Sequence, residues 1–108
     1  MPDTDTMLYG LAKVCKERRL AVRPKVKHVD IATRMRDYLP RRESVDQSTI
    51  SRFETGATWP RYPMDAFIRA YADELDVDPM LLWEEGLDRW RRLRLNSQRA
   101  PADTNGSR

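Results

Sequence analysis

Cysteine and histidine are almost missing from this chain of 108 residues, which holds one of each, Cys15 and His28. A single cysteine excludes an intramolecular disulfide, and one cysteine with one histidine excludes the usual zinc clusters. There is no glycine-rich phosphate loop and no group of acids placed to flank a pocket. No catalytic constellation can be assembled, so no enzyme, cofactor or metal is expected. Nor is there an apolar run of membrane-spanning length, or a basic-then-apolar leader, so the chain is expected to be cytoplasmic with no membrane partner. Cys15 falls on the apolar face of a predicted first helix, where the expected role is that of a small buried hydrophobe.

Charge, by contrast, is plentiful. Charged residues make up 34% of the chain and the net charge is +3, a balance that conceals strong segregation. Residues 1–12 carry −2, residues 13–61 carry +7, residues 62–88 carry −7 and residues 89–108 carry +5. A basic first half suits phosphate binding, and an acidic block is expected to face away from a polyanion.

Hydrophobic spacing predicts an all-α domain of five helices over residues 1–95 and a flexible tail over 96–108. Helix 1 is expected from Thr6 to Leu20, with Leu8, Leu11, Val14 and Cys15 on one side. A loop with Pro24, Arg23, Lys25 and Lys27 follows. Helix 2 is expected over 28–39, with Ile31, Ala32, Met35 and Leu39 on one face, until Pro40 stops it. Helix 4 spans Met64 to Leu75, where Met64, Phe67, Ile68, Tyr71, Ala72 and Leu75 form a core stripe. Helix 5 opens with Asp78 as cap and Pro79 in the first turn. It continues through Trp83, Leu87 and Trp90 into an arginine-rich end.

Helix 3, about 46–55, has two sharply different faces. Ile50 and Phe53 fall on one side. Gln47, Ser48, Ser51, Arg52 and Thr55 form an arc on the other. An amide, hydroxyls and one guanidinium can read base edges in a major groove. Asp46 is the expected N-cap, Val45 and Ile50 the expected hydrophobic staple, and Gly56 the left-handed stop, with Ser44 and Gln47 as a competing capping box. Trp59 beside Pro60 reads as a packing lid.

The run Val45-Asp46-Gln47-Ser48-Thr49-Ile50-Ser51-Arg52-Phe53-Glu54-Thr55-Gly56, with Ile31-Ala32 before it and Pro60 and Leu75-Asp76-Val77-Asp78-Pro79 after it, resembles the lambda-repressor-like helix-turn-helix group. This group includes phage repressors, Cro proteins and xenobiotic-response-element-type bacterial regulators. The resemblance spans about residues 6–83. It implies a compact five-helix bundle in which helices 2 and 3 form the helix-turn-helix and Ala32 lets helix 2 approach Ile50. It further implies base contacts from Gln47, Ser48, Ser51 and Arg52. Phosphate contacts would come from Lys27, His28, Thr55, Thr58 and Arg61, and Glu54 would be structural, paired with Arg18. The chain departs from the group in a longer connection between helices 2 and 3, about residues 36–44. Arg41 and Arg42 of this insertion are expected to add phosphate contacts.

These readings predict a transcriptional regulator that recognises a double-stranded DNA operator, most simply a phage- or mobile-element-type repressor with no attached effector domain. A homodimer is expected at least on DNA, with Trp83, Leu87 and Trp90 as its surface. Two other readings use the same fold. One is an antitoxin whose helix 5 grips a protein partner, and the other an interaction adaptor that does not bind DNA.

Overall fold

A computed structural model describes residues 7–56 and 60–106, with side chains through Asn96. Five α-helices account for most of it: α1 (Met7–Ala21), α2 (His28–Met35), α3 (Gln47–Thr55), α4 (Met64–Leu75) and α5 (Pro79–Gly106). No strand occurs among the described residues. The helices surround one core whose centre is aromatic. Phe53 of α3 stacks on Phe67 of α4 at 4.4 Å between ring centroids, and Tyr71 lies 5.7 Å from Phe53. Leu11, Ile31, Met35, Ile50 and Ile68 close around them, all fully buried. Burial of each such side chain contributes about 1.5–3 kcal/mol, so the stripes seen in the sequence become the core.

Local signals set the ends of α3 and α5. The Asp46 carboxylate accepts a hydrogen bond from the Ser48 amide at 3.0 Å, and α3 therefore begins at Gln47, not at the competing Ser44 box. Val45 is half-buried against the core to which Ile50 belongs, as a staple requires. Gly56 ends the helix at φ 68°, where a side chain would be strained and would also meet Tyr9. Asp78 caps α5 through the Met80 amide at 2.9 Å.

Helix 2 is shorter than its apolar spacing predicts. It stops at Met35 and tightens into a 3-10 turn over Arg36–Tyr38. Pro40 then ends the turn, because it disfavours helical geometry at the preceding residue. Leu39 accordingly adopts φ −104° and ψ 139°, yet still buries its side chain. At the other end of the chain, α5 extends to Gly106 where the composition predicts a flexible tail from residue 96. Trp59, expected as a lid, lies outside the described residues.

Helices α1 and α5 approach through two glycines. A Cβ on Gly10 would stand 2.6 Å from the Gly86 carbonyl oxygen and 2.9 Å from the Trp90 nitrogen; one on Gly86 would stand 2.3 Å from a Leu11 methyl. Helix propensity alone favours alanine over glycine by about 1 kcal/mol. Here backbone blocks the added methyl, so Gly10→Ala is expected to lower stability by about 1–3 kcal/mol through overpacking. Urea unfolding would show this as an earlier midpoint. A later midpoint would mean that α5 yields without cost.

Candidate nucleic-acid interface

Helix α3 is mounted by its inner face. Glu54 is buried and accepts four hydrogen bonds from three other helices. Arg19 of α1 donates through Nε at 2.7 Å and Nη2 at 2.9 Å, Tyr71 of α4 donates its hydroxyl at 2.5 Å, and Nε2 of His28 in α2 lies at 3.1 Å. Arg19 spends a further N–H on the Val26 carbonyl at 3.1 Å. Burial pushes the Glu54 carboxyl towards the neutral form, but the bonds from Arg19, Tyr71 and His28 outweigh it and hold the group below its ordinary value. Burial, with the adjacent Glu54 charge, pushes the Tyr71 phenol well up, so it stays a neutral donor. No buried side-chain nitrogen or oxygen is left unbonded among the described residues. The orientation of α3 is thus fixed from three sides.

This arrangement corrects the expected Arg18–Glu54 pair. Arg18 instead forms a two-bonded pair with Glu85 of α5, at 2.7 and 2.5 Å. A rotation of about 100° separates neighbouring residues on a helix, which puts Arg19 in line with Cys15 and Leu11 on the buried side. An arginine on the apolar stripe of α1 was the available signal for this cluster, together with a glutamate next to Phe53 and a tyrosine in the stripe of α4.

The opposite face of α3 is open and polar. Gln47, Ser51, Arg52 and Thr55 are exposed and Ser48 is half-exposed. Arg52 lies along the helix, with its Nη1 donating weakly to Ser48 Oγ at 3.4 Å. The structure therefore brings all four expected base-reading residues onto one surface.

Three exposed basic residues stand near α3 in the chain or next to the contact between His28 and Glu54. His28 touches Glu54, so the exposed Lys27 sits beside the last turn of α3, and the exposed Arg61 follows α3 in the chain. Arg41 is exposed before its first turn. Thr58 lies outside the described residues. His28 is partly engaged inward: its side chain is 33% exposed, and an ionised Glu54 oxygen can only accept, so Nε2 carries the hydrogen.

The insertion folds back instead of reaching out. Arg42, at φ 49°, donates to Asp37 at 3.0 Å, and Arg36 donates to the Arg42 carbonyl at 3.3 Å. Arg34 bonds Glu74 of α4 at 2.9 Å, and the Tyr38 hydroxyl bonds Asp73. Acids of α4 thereby hold α2 and the 3-10 turn in place. Trp83, Leu87 and Trp90 are half-buried: Trp83 packs on the core and Trp90 abuts Gly10. The most exposed apolar side chains of α5 are Met80, at 60%, and Leu95, at 56%.

Among the described residues no cluster of acids, histidines or cysteines could hold a metal, and no helix is long and apolar enough to cross a membrane. Cys15 is fully buried, and burial drives its thiol far above the ordinary value. Comparison with protein-family models, curated proteins and solved structures finds no match to this chain.

Proposed function

We propose that this protein is a sequence-specific double-stranded-DNA-binding regulator, a lambda-repressor-like helix-turn-helix repressor that acts by occupying an operator. One observation carries the reading. The exposed face of α3 consists of Gln47, Ser48, Ser51, Arg52 and Thr55, while Glu54 on the reverse face is bonded to α1, α2 and α4. A rigid helix with an amide, hydroxyls and a guanidinium on its outer side can enter a major groove without first paying to be ordered. Gln47 at the first turn pairs with adenine N6/N7, and Arg52 one turn later reaches guanine O6/N7. Lys27, Arg41 and Arg61 take the flanking phosphates and fix the register without reading sequence. Two copies on a two-fold site double the number of bases read.

Selection from a random duplex pool tests the reading: an enriched motif is expected, and enrichment of none would defeat it. On the selected site, Arg52→Ala is expected to cost about 1–3 kcal/mol in binding free energy, measured by fluorescence anisotropy. An unchanged affinity would take Arg52 out of the interface.

A further inference from the structure

The arginine-rich half of α5 lies outside the reading helix, and its charges are not all used. Arg89 is paired with Glu17 at 2.7 Å, and Arg92 with Asp88 at 2.8 Å. Arg91 and Arg94 are exposed, and no carboxylate among the described residues pairs with either. Arg94 only stacks over the Trp90 ring, at 5.0 Å from its centroid. The contrast with α2 and the insertion is direct, since Arg34 and Arg42 there are already held by Glu74 and Asp37.

The position of this segment follows from three close approaches. The end of α3 abuts the start of α1, where a Cβ on Gly56 would lie 3.0 Å from the Tyr9 Cα. The next residue of α1, Gly10, abuts Trp90 of α5. Arg18, further along α1, pairs with Glu85, and Ala21 and Val22 at the end of α1 face Leu75 and Val77 just before α5, so the two helices run in opposite senses. The second half of α5 therefore leaves the domain past the beginning of α1. Packed helices lie about 8–10 Å apart, which puts that exit within about 20 Å of the end of α3, across α1. A major groove about 12 Å wide, with its bordering backbones, spans a comparable distance.

We infer that Arg91 and Arg94 make a second contact with the phosphate backbone, outside the groove read by α3. The helix supplies cations one turn apart on a rigid rod, and phosphates give the complementary charge without regard to sequence. This rests on the regulator reading above and extends its footprint. Arg94 stays on Trp90 until a phosphate replaces the ring as its partner.

The test is the salt dependence of binding to the selected duplex by the full chain and by Arg91→Gln/Arg94→Gln. The double variant is expected to reduce the slope of log affinity against log salt by about two for each copy bound. Selected and scrambled duplexes should weaken alike, the enriched motif should not change, and the mass of the free protein should stay the same. Arg91→Gln alone, which breaks no described bond, should reduce the slope by about one for each copy bound. A wild type that binds while both variants keep its slope would overturn the α5 contact alone. A variant that falls from dimer to monomer would assign these arginines to a second copy and overturn it too. A wild type with no duplex affinity would instead defeat the regulator reading beneath it.

Discussion

Glu54→Gln is expected to remove about 3–5 kcal/mol of folding stability, the cost of leaving a buried charge without its partner. Arg19 keeps its guanidinium buried at 6% exposure, and only the Val26 carbonyl remains to receive it fully. A domain of this size is held by about 5–15 kcal/mol, so the loss is a large part of the total. Urea unfolding followed by circular dichroism reads the change. A shift below about 1 kcal/mol would show that the cluster is hydrated or replaceable. The double variant Arg19→Met/Glu54→Gln should lose less than the sum of the single losses, since neither charge is then stranded.

The same carboxylate sets the acid limit of the fold. Its ionisation in the folded protein lies below its ordinary value of 4.5. The unfolded chain therefore binds the proton more readily, and the stabilisation is complete above about 4.5 and lost as pH falls through the folded value. Glu17 and Glu85 shift in the same direction, through Arg89 and Arg18, but are more exposed and contribute less. In Glu54→Gln the acid-side decline should be shallower than in the wild type.

Duplex affinity is expected to fall by about 10³–10⁵ between 50 and 200 mM salt if a paired site engages six to ten phosphates. Lys27, Arg41 and Arg61 of each copy supply six cations, and Arg91 and Arg94 extend the number. An adaptor that docks through apolar surface would give a nearly flat line. On that reading the insertion would contribute through Arg41, and through Arg42 where a phosphate replaces its exposed bond to Asp37. Lys27→Ala should reduce the slope by about one for each copy bound and weaken every duplex alike.

Features governed by neighbours in the chain were legible in the sequence. The caps at Asp46 and Asp78, the stop at Gly56 and the stripe of α4 each depend on residues within a few positions. The two faces of α3 also follow from spacing alone. Partners distant in the chain were not legible. Arg19 and Glu54 stand 35 residues apart, and although the phase of α1 turns Arg19 inward, the packing of α1 against α3 decides which carboxylate it meets. The path of residues 36–44 depends on Asp73 and Glu74, which sequence charge alone placed in an acidic face turned away from DNA. The exposed face of α3 carried most of the functional signal, and the structure adds the means by which that face is held still.

The most direct measurement is the affinity of wild type, Arg52→Ala and Lys27→Ala for every single-base variant of the selected duplex. If α3 reads bases, Arg52→Ala flattens the preference at one base pair and leaves the others intact, while Lys27→Ala lowers all affinities by a common factor. A wild type indifferent to every base change, or an Arg52→Ala loss spread evenly over all positions, would contradict the account.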